Sequence, residues 1–211
     1  SLNKWLPFLG LIFVMVAGVY LRVTGLFWGD YQFLHPDERF LIWVTANLTP
    51  VKTIGDYFNT ALSTLNPHNT GHGFYVYGDF PVILTRYITA ALFNDGTWNQ
   101  VLQVGRSLST FFDMGSVLLV YLIGSRLFNK KIGLLAAAFS SMAVLQIQQS
   151  HFYTVDTFAA FFTTLAVYLA VLIRKTKFIS ESDQNLIDSE KATSEKSKKP
   201  KIAYLRLLLL S

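Results

Sequence analysis

The chain has 211 residues, 52% of them hydrophobic and 15% aromatic, with 15% charged residues and no cysteine. The lack of cysteine excludes disulfide scaffolds and thiolate–metal chemistry. The net charge of +5 is not a nucleic-acid footprint, because eight of the 18 Lys and Arg fall between Arg174 and Lys201, mixed with five acids. No nucleic-acid partner is expected.

Long uncharged runs organise the rest. Residues 5–21, 132–155 and 157–173 contain no Asp, Glu, Lys or Arg. Apolar runs of about 17 to 25 residues are the length that crosses a bilayer core. An all-α, multi-pass membrane protein is expected. The chain begins without Met and stops within the leucine-rich run 205–210, so it reads as a segment of a longer protein.

The first predicted span covers about residues 5–27. It is too long for a removed signal peptide and lacks a small-residue cleavage site, so it reads as an anchor. Arg22 lies near its far end, where it can snorkel to the interface. Trp28 and Tyr31 follow as interface aromatics.

Residues 29–100 form a long loop with short helices. It opens with Leu34-His35-Pro36-Asp37-Glu38-Arg39-Phe40. Pro36 suits the first position of a helix, and Asp37 and Glu38 then sit in a first turn, where negative charge complements the helix dipole. Taken alone, the two acids are a helix start. An amphipathic helix is predicted from Asp37 to Leu48. The stretch 66–73, Asn-Pro-His-Asn-Thr-Gly-His-Gly, is turn chemistry. His68 and His72 are four apart, but the Gly and Pro around them argue against a helical metal pair. The apolar stretch 80–93 is short and has Arg86 at its middle, which suits an interfacial or re-entrant helix.

The remaining predicted spans are about 101–128, 132–149 and 157–173. If residues 80–93 do not cross, then Lys4, Lys130-Lys131 and the basic stretch from Arg174 all fall on one side, as the positive-inside rule expects. Asp37, His151 and Asp156 then share the opposite, non-cytoplasmic face. Asp156 alone reads as an N-cap or first-turn acid. Arg106 and Asp113 are ionisable groups inside a span, which are costly and tend to be paired or functional. They are separated by about 10 Å of helix, too far for a simple ion pair. Arg106 is near the outer end, where it reads either as an interface anchor or as a guanidinium that holds a lipid phosphate. A partner for Asp113 on an unseen helix is expected. Residues 174–201 read as a charged cytoplasmic linker, and a further, truncated span begins near residue 202.

Three stretches in order carry a resemblance: His35-Pro36-Asp37-Glu38 after one span; Gly105-Arg106-Ser107-Leu108-Ser109, running on to Gly124-Ser125-Arg126-Leu127-Phe128; and Ser150-His151-Phe152-Tyr153-Thr154-Val155-Asp156. Together, over about residues 5–173, the chain resembles GT-C glycosyltransferases of the protein O-mannosyltransferase and lipid A aminoarabinose transferase type. The resemblance implies a helical bundle with juxtamembrane helices in the first outer loop. It implies an integral-membrane enzyme of the plasma membrane or endoplasmic reticulum. Such an enzyme moves a sugar, with inversion, from a polyprenyl-phosphate donor to a hydroxyl of a protein, lipid or glycan acceptor.

Residue by residue, the resemblance makes Asp37 the general base, with Glu38 its partner and Asp156 a second acid. Arg106 would meet the donor phosphate, with Arg86 a further candidate cation, and His35 and His151 would line the site. A monophosphate donor can leave without a divalent metal, so neither metal nor cofactor is expected. The aminoarabinose branch has a Lys before the Pro of the short segment, whereas here Asp79 and Phe80 precede Pro81. The acceptor-shaping part expected after the last span is absent, so this segment alone is expected to be inactive. A metal-dependent oligosaccharyltransferase, a lipid or solute transporter and a non-enzymatic scaffold are the competing expectations.

Overall fold

A computed structural model describes residues 5–174, and among them every regular element is helical. The order is α1 (Leu6–Val23), α2 (Pro36–Asn47), α3 (Ile54–Phe58), α4 (Phe80–Phe93), α5 (Trp98–Leu127), α6 (Lys130–Ser141) and α7 (Val144–Ser150). The last is α8 (Asp156–Arg174). A single 3-10 turn, Pro67–Thr70, lies between α3 and α4. Of the described residues, 5–168 belong to one compact unit and 169–174, the end of α8, to a second. The linker beyond Arg174 and the span expected near residue 202 lie outside the described residues.

Among the described residues three helices are long and apolar enough to cross a membrane, α1, α5 and α8, and the bent pair α6–α7 makes a fourth if it is one span. The fold is that of a helical membrane protein. α5 is the central element, half buried along its apolar window, whereas α1 and α8 are only 11% buried and show their apolar faces outward. At 30 residues, α5 is about 45 Å long against a hydrocarbon core of about 30 Å. About 15 Å of it therefore exceeds the thickness of the core. α4 has 14 residues, or about 21 Å, and is too short to cross.

Two boundaries differ from the sequence reading. α1 ends at Val23 rather than near 27, because Thr24 turns extended and Gly25 is left-handed, with φ +72°. The single span expected over 132–149 is two helices, α6 and α7, bent by 60°. Ala143 is extended between them, and the Ser140 hydroxyl donates across the break to Gln146 (2.9 Å).

One apolar core joins Leu41 and Ile42 of α2, Leu48 just past its end and Val82 of α4 to Val101, Leu102 and Phe112 of α5. Phe112 lies 4.5 Å from the Phe158 ring of α8. Phe80 packs into the same aromatic cluster, 5.3 Å from the Phe162 ring. A second core joins Val14 and Met15 of α1, Met114 and Val117 of α5 and Ala137 of α6. Farther along, α5 and α6 cross backbone to backbone: a Cβ on Gly124 would lie 2.9 Å from the Cα of Gly133. Small residues allow such close helix approach in membranes.

Candidate functional site

The site is assembled on the first turn of α2. Pro36 starts the helix and His35 precedes it, its Nδ1 accepting the Glu38 N–H at 3.4 Å. Successive helical side chains point about 100° apart. The two adjacent acids therefore face different ways: Asp37 is exposed and Glu38 is completely buried.

Glu38 meets Arg106 of α5 in a two-pronged ion pair. Arg106 Nε donates to Oε1 at 2.8 Å and Nη2 donates to Oε2 at 2.7 Å. The backbone N–H of Tyr153 also donates to Oε1, at 2.8 Å. Arg106 Nη1 donates to the carbonyls of Leu26 (2.8 Å) and Trp28 (3.1 Å), and the guanidinium lies 5.5 Å from the Trp28 ring centre. Paired, hydrogen-bonded and closed off from water, these charges satisfy the conditions for burial. Arg106 is about 12 Å from the start of α5 by helical rise.

Four separate stretches therefore meet at one pair of charges: residues 26–28, the start of α2, α5 and residues 151–156. Tyr153 adds a second tie. Its hydroxyl lies 3.1 Å from Thr45 Oγ1 and donates to the Pro81 carbonyl at 3.2 Å, and burial pushes its pKa up to about 12. Gly105 makes room for it, because any Cβ there would overlap the Tyr153 ring. Phe152 lies between the rings of His35 (4.4 Å) and Trp28 (5.5 Å). His151 is held to the end of α1, with Nε2 2.9 Å from the Thr24 carbonyl and Nδ1 2.7 Å from that of Ile147. Asp156 is exposed at the start of α8 and accepts from Gln149 Nε2 at 3.3 Å.

Of the residues singled out from sequence, Asp37, Glu38, His35, Arg106, His151 and Asp156 thus belong to segments joined at this one node. Arg86 does not. Its Nε donates to the Leu48 carbonyl at 2.6 Å, and the remaining donors go to the carbonyl and carboxylate of Asp95. It latches α4 to the end of α2 and to the α4–α5 turn. Both arginines expected to meet a donor phosphate are therefore occupied by protein partners. Arg39, next to Glu38 and not singled out from sequence, is exposed.

One further point corrects the sequence reading. Arg22 is fully buried rather than snorkelling, and it is the partner that Asp113 needed: its Nε pairs with the Asp113 carboxylate. His68 and His72 are engaged separately. His72 Nε2 lies 3.0 Å from Asn47 Nδ2, and its pKa is lowered by burial. His68 lines an open recess of about 480 Å³ with Tyr57, Asn66, Asp79 and Phe80. Burial raises the Asp79 carboxyl above the usual range, against the opposing pull of His68. No family model, curated protein or solved structure matches the chain.

Proposed function

We propose that the protein is an integral-membrane glycosyltransferase of the GT-C type. It would transfer a sugar from a polyprenyl-phosphate donor to an acceptor hydroxyl with inversion at the anomeric carbon. The site would face the non-cytoplasmic side, opposite Lys130 and Lys131. The observation that carries the reading is the exposed Asp37 carboxylate on a turn anchored from beneath by the buried Glu38–Arg106 pair. A positioned, solvent-facing carboxylate is what an acceptor hydroxyl needs as its proton leaves.

Roles follow from exposure and partners. Asp37 is the general base. Asp156, on the segment tied to Glu38 through Tyr153, is a second negative charge for an oxocarbenium-like anomeric carbon, by the logic glycosidases use. Glu38 and Arg106 position the turn. The leaving phosphate requires a cation, and Arg39 is the exposed guanidinium of this turn. A transporter would need substrate-pathway charges near the bilayer centre; Asp113, the carboxylate within the span, is paired with Arg22.

The test uses membranes containing the full chain, a radiolabelled polyprenyl-phosphate hexose series and excess chelator. Transfer to endogenous acceptors that persists in chelator is the expected result. Failure of every lipid-phosphate sugar to donate would overturn the proposal, and transfer abolished by chelator would move it to the metal-dependent class.

A further inference from the structure

α1 and α6 run in the same direction. Gly10 faces Leu134, where a Cβ would lie 2.7 Å from Leu134 Cδ2, and Gly18 faces Ser141, where a Cβ would lie 2.6 Å from its hydroxyl. The two numbers rise together along both helices, so both N-termini open at the same end of the bundle. Between them is a groove of about 720 Å³, walled by Leu6, Gly10, Phe13, Leu135 and Ala138, with Lys131 at its mouth. From Leu6 to Val14 it follows about 12 Å of helix. Half of a hydrocarbon core is about 15 Å.

The mouth is electrically one-sided. A helix N-terminus carries a partial positive charge, and Asp or Glu in the first turn usually offsets it. Neither α1 nor α6 has an acid in its first turn. Lys130 and Lys131 are instead exposed at the start of α6, and no ion pair among the described residues involves either. Asn129 caps the helix through the N–H groups of Lys131 and Ile132, so the local backbone is satisfied but the local charge is not.

We infer that this groove binds an anionic phospholipid of the bilayer, with an acyl chain along the α1–α6 wall and the phosphate at Lys130 and Lys131. A free phosphate would use the lysines but not the apolar wall. A neutral lipid would use the wall but leave two parallel helix starts and two lysines uncompensated. Basic pockets between membrane helices select anionic headgroups on these grounds. The site is separate from the Glu38–Arg106 node and does not depend on the proposed enzymatic activity.

The full chain, purified in detergent, is offered equal amounts of phosphatidylglycerol and phosphatidylcholine and examined by native mass spectrometry. Retention of phosphatidylglycerol should be favoured about thirtyfold, as two basic residues at a headgroup imply. K130Q/K131Q should remove the preference, and Ala138→Phe, which fills the groove, should remove the retained lipid itself. Equal retention of the two lipids, or a preference indifferent to both variants, would overturn the inference. So would a photo-crosslinker at Leu135 that captures the leucine-rich run 205–210 of the chain instead of lipid.

Discussion

Asp37 and Glu38 are neighbours in sequence with opposite physical situations, and their substitutions should separate. Glu38→Gln leaves the buried Arg106 charge without its counter-ion, and breaking one side of such a pair costs about 3–5 kcal/mol. A large fall in apparent melting temperature in detergent is expected; an unchanged value would mean the pair does not hold the four stretches together. The difference between the two acids is visible in the sequence once the helix is placed. Glu38, Leu41, Ile42 and Thr45 recur at helical spacing, and all four are buried. On α5, Leu102, Gly105, Arg106, Ser109 and Asp113 form a similar buried stripe, small or polar at every position after Leu102. What the sequence does not reveal is that these two stripes face each other, since that contact is set by tertiary packing over a separation of 68 residues.

His72 supplies a pH prediction at the same scale. Its pKa is lowered from 6.5 by burial, so the folded protein favours the neutral ring. Its contribution to stability is fully present above pH 6.5, the unfolded value, and is lost as pH falls toward the lower folded value. Melting temperature should drop over that acidic window. His72→Gln, which keeps an acceptor for Asn47, should flatten the dependence, and an equal slope in both proteins would place the titration elsewhere.

Among the elements, the broken helix α6–α7 is the one the sequence concealed. The apolar run 132–149 has no Pro at the break, and no Gly nearer than Gly133. The bend needs a partner from outside. Arg22 Nη1 donates to the Ser141 carbonyl at 2.9 Å, just where α6 ends, and to that of Gly18 at 3.1 Å. The same side chain neutralises Asp113. One arginine therefore satisfies a carbonyl freed by the break and a carboxylate inside a span. Two residues on, Thr24 accepts from the His151 side (2.9 Å), so the end of α1 is tied to both halves of the bend. Arg22→Met and Asp113→Leu should each lower apparent melting strongly, on the order of 3–5 kcal/mol, because each strands a buried charge. The double variant should recover part of the loss. A double variant as unstable as the sum of the singles would show that the two side chains do not act as a pair.

At the scale of the whole molecule, the sequence made the three long apolar helices α1, α5 and α8 and the shortness of α4 legible, because length and missing charge are one-dimensional properties; the fourth expected span, 132–149, is the broken pair α6–α7. The orientation across the membrane is an inference from lysine placement, and it is open to a direct check. The chain has no cysteine, so single cysteines report cleanly. Cysteines at Asn69 and Gln149 should react with a membrane-impermeant maleimide from one side of sealed vesicles, and a cysteine at Asn129 only from the other. Labelling of Asn69 and Asn129 from the same side would mean that α4 or another element crosses unexpectedly.

The central claim is that the exposed acid, not the buried one, performs the chemistry. Its most direct measurement is sugar transfer from a polyprenyl-phosphate donor by the full chain carrying Asp37→Asn, with melting temperature recorded on the same sample. Asp37 is exposed, so melting should match the wild type, while the transfer rate should fall by about 10²-fold or more, the contribution typical of a positioned general base. Wild-type transfer by a normally folded Asp37→Asn protein would contradict the account.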